Sequence, residues 1–172
     1  TRLEQSRGFP HTTRAQYLAS NPDFTRQPPY LQGAFVALSN TDGGILAVVG
    51  GRRFDESSFN RALEGSRQVG STIKPFVYAH AFNVLNATAF TEVDSSEFPL
   101  RMAQPSTPLS GDNPEFITVR RALETSNNYA TMRLGLASGL DGFSYFMGRL
   151  VPSPIAPFPS TFLGACSLPP ME

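Results

Sequence analysis

An α+β domain, a mainly antiparallel sheet flanked by helices, is what this chain predicts. Three observations carry that reading: a hairpin signal between two apolar runs, an apolar helix that opens on Gly-Ser, and a pair of helices joined through Ser-Asn-Asn. At 172 residues, with 40% hydrophobic and 16% charged residues, the chain is long enough to bury a core. Fourteen basic residues balance fourteen acidic ones, so no net field draws it to nucleic acid or to an anionic membrane.

The hairpin comes first. GAFVALS at 33–39, a TDGG turn at 41–44 and ILAVVGG at 45–51 read as two β-strands, apolar on both faces and therefore expected to be covered on both, by helices. The preceding residues 1–30 are polar with a turn at Pro28 and Pro29, and read as a connecting segment. A helix begins near Ser71, with Ile73, Val77, Ala81 and Val84 or Leu85 recurring at helical spacing, and should be largely buried. Residues 86–117 lack periodicity and read as a long excursion. Thr118 looks like the cap of a short helix ending near Thr125; further helices are expected at about 129–137 and 141–150. The tail from Val151, with six prolines in 22 residues, reads as loop.

Composition excludes several chemistries. A single cysteine, Cys166, rules out an internal disulfide and any Cys-rich zinc site, and is expected to be a small buried hydrophobe. No phosphate loop, metal constellation or cofactor motif is present. His11 and His80 complete no Ser-His-Asp triad; both read as core or surface histidines. Asp55-Glu56 and Glu92 with Asp94 read as solvated loop carboxylates. No apolar run approaches the roughly 18 to 20 residues that span a bilayer, and no signal peptide is visible. The start at Thr1 and the end after Pro-Pro are those expected of a fragment.

Thirteen of the fourteen basic residues are arginine, so Lys74 is the only lysine. Arginine cannot lose its proton at reachable pH, whereas a desolvated lysine can. In GSTIKP at 70–75, Ser71 and Lys74 lie three apart on one helix face, which puts hydroxyl and amine within reach of a hydrogen bond. The positive helix start favours an oxyanion, and burial favours a neutral amine able to take the serine proton. Gly70 allows close approach of an acyl group. Ser-x-x-Lys alone is weak, because a serine cap followed by a surface lysine gives the same letters. Ser126-Asn127-Asn128 supplies a second element able to aim a hydroxyl and an amide at one point, although helix capping is the commoner use of these residues. Tyr78 shares the Lys74 face and is expected to pack rather than react.

The two elements, in this order and about 55 residues apart, are the first two parts of a three-part penicillin-binding signature. GAFVALSNTDGGILAVVGG, FNRALEGSRQVGSTIKPFVYAHAF, VRRALETSNNYATMRLG and FLGACSLPPME together resemble the transpeptidase domain of class A, bifunctional penicillin-binding proteins over residues 31–172, with 1–30 as a linker. The resemblance implies a penicillin-binding protein/β-lactamase-like fold, incomplete here, without cofactor or metal. It implies Ser71 as the acylated nucleophile, Lys74 as its base, Ser126 as a proton shuttle to the leaving amine, and Asn128 as a substrate-orienting amide. The implied activity is D,D-transpeptidation of peptidoglycan stem peptides ending in D-Ala-D-Ala, drawn from a lipid-linked precursor and trapped by β-lactams. It implies a place on the outer, periplasmic side of the bacterial inner membrane, with anchor and glycosyltransferase in segments not in this chain. The third motif, Lys-Thr-Gly, is absent, so these residues alone are expected to be inactive. Rival readings are a β-lactamase or D,D-carboxypeptidase, with water as acceptor, and a non-catalytic recognition module.

Overall fold

The computed structural model of the protein describes residues 2–8, 10–20, 29–100, 103 and 110–172. They form two compact units, one of residues 1–66 with 169–171 and one of residues 67–168 with Glu172.

The first unit holds helix α1 (Arg14–Ser20) and the strands β1 (Phe35–Leu38) and β2 (Ile45–Val49). The expected hairpin is present, with Phe35 opposite Val49 and Ala37 opposite Ala47. Its turn is held by Asp42, whose side chain accepts from the Gly44 N–H at 2.9 Å. The expected cover is not there: all five β2 residues are exposed, Leu46 to 71%. Each strand has one partner, and apolar residues on both faces of a two-stranded ribbon have no layer over them. Residues 1–30, read as a connecting segment, contain α1; Pro28 of the expected turn lies outside the described residues. Glu56, expected to be solvated, is only 3% exposed. It accepts from Arg14 and, at 2.8 Å, from the Tyr30 hydroxyl. The Arg14 guanidinium holds its carboxyl at about 2. Asp55 is solvent-exposed as expected.

The second unit is built around α4 (Asn128–Ser138), buried at every position from Ala130 to Leu136. A helix apolar all round belongs inside a core. Against it pack α2 (Lys74–Leu85), α5 (Leu140–Met147) and a 3₁₀ segment (Pro159–Leu163) within the tail read as loop. The α2 helix is entered through a 3₁₀ turn at Gly70–Ile73. Ile73, Val77 and Ala81 are fully buried as their spacing predicts, but Phe76, Phe82, Val84 and Leu85 are exposed, so the helix buries one face only. Among the described residues pairing is antiparallel throughout, in three two-stranded ribbons rather than one sheet: β1 with β2, β3 (Arg67–Gln68) with β6 (Ser167–Leu168), and β4 (Glu92–Asp94) with β5 (Phe116–Thr118).

The ribbon β4–β5 gives the excursion at 86–117 a stem. Asp94, read as a solvated carboxylate, is 1% exposed and accepts from the N–H groups of Gly111 (2.7 Å), Ser96 (2.8 Å) and Glu115 (2.9 Å). Arg133 of α4 stands 3.4 Å from it and donates to the carbonyls of Asp94 and Ser96. Burial alone would raise the Asp94 carboxyl, but these hydrogen bonds outweigh it and hold the group well below the usual carboxylate range.

Helix α3 (Val119–Glu124) starts at the expected cap, where the Thr118 hydroxyl accepts from the Arg121 N–H. It ends in a Schellman turn. Asn127 N–H reaches the Ala122 carbonyl at 2.8 Å and Ser126 N–H the Leu123 carbonyl at 3.0 Å, with Ser126 left-handed at φ 53°. That position usually takes glycine, because a Cβ there costs about 1–2 kcal/mol.

Two stability outcomes are expected. Asp94→Ala leaves Arg133 buried without its counter-ion and three N–H groups without an acceptor, and should lower unfolding free energy in urea by about 3–5 kcal/mol. Because the folded carboxyl is depressed, its contribution is present above the ordinary value and should fade as pH falls through the folded one. Ser126→Gly and Ser126→Ala remove the same hydroxyl, yet glycine should unfold at the higher temperature, by about 1 kcal/mol, since only alanine keeps the strained Cβ.

Candidate active site

Two glycines set the entry to the Ser71 turn. Gly70 has φ 57°, a left-handed backbone that favours glycine, and a Cβ on it would meet no protein atom within 4 Å. Gly164 is the residue of close approach: a Cβ on it would run into the backbone of Gly70. Gly70 N–H donates to the Gly164 carbonyl at 3.1 Å and Val69 N–H to that of Cys166 at 2.9 Å, continuing the β3–β6 pairing. The Leu163-Gly164-Ala165 segment thereby positions the serine. Cys166 is half-buried against the core.

Ser71 does not cap its helix. The cap residues of the 3₁₀ turn and of α2 are Val69 and Ile73, without side-chain capping bonds, and Thr72 donates to the Val69 carbonyl instead. Ser71 is exposed, and its hydroxyl pairs with the Ser126 hydroxyl at 3.2 Å. Lys74, the first residue of α2, is no surface lysine: it is 1% exposed. Its Nζ donates to the Ser126 carbonyl at 2.6 Å, the Asn128 Oδ1 at 2.6 Å and the Ser126 Oγ at 3.0 Å. Burial pushes its pKa below the ordinary lysine value of 10.5.

The structure therefore brings Ser71, Lys74, Ser126 and Asn128 together, with one departure from expectation. Ser71 and Lys74 make no direct hydrogen bond; Ser126 stands between them. Capping and chemistry are divided within Ser-Asn-Asn. Asn127 is the N-cap of α4 and accepts from the Ala130 N–H at 2.8 Å, while the residues on either side turn to the lysine. The left-handed backbone at Ser126 aims its carbonyl and hydroxyl at one amine, and αL geometry in a non-glycine residue is a mark of functional sites. With Asn128 Oδ1 committed to Lys74, the side chain of Asn128 still has its amide N–H groups as donors. Of the first N–H groups of this turn, that of Gly70 donates to Gly164, which leaves the Ser71 N–H to receive an oxyanion.

A cleft of about 680 Å³ adjoins Asn127 and Tyr129 at the start of α4, its far wall formed by Glu97, Asp112 and Glu115 of the excursion. The Asp94–Arg133 pair fixes that wall to α4. Phe98 stacks between Tyr129 (5.8 Å between ring centres) and the Arg133 guanidinium (4.5 Å). Sequence reading missed this pair; the available signal was one arginine inside the otherwise apolar NYATMRLGLA. Tyr78 packs as expected, its hydroxyl bonded to Thr131 at 3.0 Å and away from Lys74. His80 is buried against Phe143 and Phe146 and bonds the Ser138 carbonyl, outside the site. Among the described residues no cluster of His, Cys, Asp or Glu could hold a metal, and no helix is long and apolar enough to cross a membrane.

Several known proteins are similar to this chain. Penicillin-binding protein 1A of Neisseria gonorrhoeae is 37% identical over 129 residues, 72% of this chain and 16% of that protein. Penicillin-binding protein 1B of Vibrio cholerae is 34% identical over 149 residues, 83% of this chain and 19% of that protein. Among solved structures, penicillin-binding protein 1A from Haemophilus influenzae superposes with a TM-score of 0.70 at 30% identity, over 84% of this chain and 22% of that one. Pseudomonas aeruginosa PBP2 shares the fold, with a TM-score of 0.60 at 17% identity over 81% of this chain and 44% of that one. The chain thus spans 16% to 19% of the length of these curated relatives. Residues 33–151 match the family described as the penicillin binding protein transpeptidase domain, and the chain belongs to that family.

Proposed function

We propose that residues 31–172 carry the acylation centre of a D,D-transpeptidase that cross-links peptidoglycan stem peptides ending in D-Ala-D-Ala, with Ser71 as nucleophile and Lys74 as the final proton acceptor. The observation that supports this most is the buried lysine bonded to both residues of the second motif, one of which bonds the serine. In this reading Ser71 Oγ attacks the carbonyl of the penultimate D-alanine while the Ser71 N–H donates to the developing oxyanion. Ser126 then protonates the departing terminal D-alanine. The acyl-enzyme is resolved by an amine from a neighbouring stem, and a β-lactam, which mimics the dipeptide, traps it.

The same reading places the active protein on the outer face of the bacterial inner membrane, where lipid-linked precursor is consumed. Residues 1–30 serve it as a connecting segment. No Lys-Thr-Gly lies within these 172 residues, whose one lysine is Lys74. Activity is therefore to be measured on the full-length protein.

A fluorescent penicillin should label that protein, and Ser71→Ala should abolish the label while the melting temperature stays near wild type; labelling equal to wild type would refute the nucleophile. Release of hydrolysed β-lactam over many turnovers would make it a β-lactamase instead. The base must be neutral to act, so the acylation rate should climb with pH on a limb set by Lys74, below 10.5. Lys74→Arg should lose that limb and acylate slower by on the order of 10²–10⁴.

A further inference from the structure

The hydrogen bonds of Lys74 fix where its lone pair can point. An ammonium has three N–H donors, and the three partners of Nζ suit it: the Ser126 carbonyl, the Asn128 Oδ1 and the Ser126 Oγ. A neutral amine has two N–H donors and one lone pair. Two of the three partners are oxygens that only accept, both at 2.6 Å, and they take the two N–H groups. The lone pair is left facing the third partner, a hydroxyl at 3.0 Å that can donate. In the structure that hydroxyl donates to Ser71 Oγ at 3.2 Å; turned about its Cβ–Oγ bond it donates to Nζ and accepts from Ser71, which makes no hydrogen bond to Nζ of its own. Both separations are within the reach of proton transfer.

The geometry points to Ser126 as the immediate acceptor of the nucleophile's proton: acylation runs as a two-proton relay from Ser71 through Ser126 to Lys74. This rests on the acyl-transfer reading above and adds to it a second catalytic role for Ser126, beyond delivery of a proton to the leaving group. As the Ser71 Oγ–carbon bond forms, the Ser71 O–H bond breaks and its proton passes to Ser126 Oγ. The proton already on Ser126 passes to the Nζ lone pair. The negative charge appears on the substrate carbonyl oxygen and the positive charge on Nζ. When the tetrahedral adduct collapses, Ser126 gives a proton to the leaving nitrogen and recovers one from the Lys74 ammonium, which leaves every enzyme group neutral. One hydroxyl chain serves both directions. The left-handed turn makes this possible, because it holds carbonyl and hydroxyl of one residue against the same nitrogen.

The test separates the two roles by changing the leaving group. An N-acyl-D-alanine nitrophenyl ester expels an aryloxide that needs no proton, whereas penicillin expels a nitrogen that does. In the full-length protein, Ser126→Gly, which suits the αL position, should slow acylation by the ester as well as by penicillin, each by on the order of 10²-fold. Wild-type ester rates in that variant would overturn the relay and leave Ser126 as a leaving-group donor only. Rates of wild-type acylation by the ester in mixed light and heavy water should curve downward with deuterium fraction, as two protons in flight require, and become linear in Ser126→Gly. A linear plot for the wild type would also overturn it. Ester acylation that persists in Ser71→Ala would instead refute the nucleophile itself, a different failure.

Discussion

Everything in the second unit that bears on chemistry follows from the need to bury one amine. A side-chain nitrogen without partners in a low-dielectric interior costs several kcal/mol, and here the cost is met by three oxygens that come from a single turn. Those oxygens converge only if the chain leaves α3 by a left-handed residue and enters α4 within one step, as the bonds of Ser126 and Asn127 to the end of α3 require. The turn, in turn, holds only because α4 is locked on all sides. A helix with buried residues around its whole circumference has no freedom to slide, so the position of Asn128 and Ser126 is inherited from the core rather than from the loop.

The elements legible in the sequence were those written in short-range patterns. Thr118 capping α3, the Asp42 turn of the hairpin and the Ile73, Val77, Ala81 stripe all depend on residues within a few positions of each other, and all three are present. The proximity of Ser71 and Lys74 was legible for a compositional reason, a lone lysine at helical spacing from a serine on an apolar helix. What sequence could not carry was the path between them. Ser71 and Lys74 look adjacent on a helical wheel, but a residue 52 positions away from the lysine bridges them.

Carboxylates gave the plainest misreading. Asp94 and Glu56 sit among polar residues and resemble solvated loop acids, yet each is a buried hub whose partners lie far along the chain: Arg133 at a separation of 39 for the Asp94 backbone, and Arg14 at 42 for Glu56. Local composition reports the loop, not the arginine that reaches it. The converse error occurred at the hairpin, where continuous apolar character was read as cover on both faces and the side chains of β2 are exposed.

The stem at Asp94 has a consequence for how this region can vary. Its carboxylate ties together backbone positions 21 residues apart, and within that span Phe98, Leu100 and Ala103 pack on the core. Lengthening such a tied-off stretch costs only about 0.6 kcal/mol per doubling, and that cost does not reach the lysine. The wall of the cleft is therefore separable from the proton-transfer apparatus. Changes of charge at Glu97, Asp112 or Glu115 would alter what fits beside α4 and leave the three oxygens around Lys74 where they are.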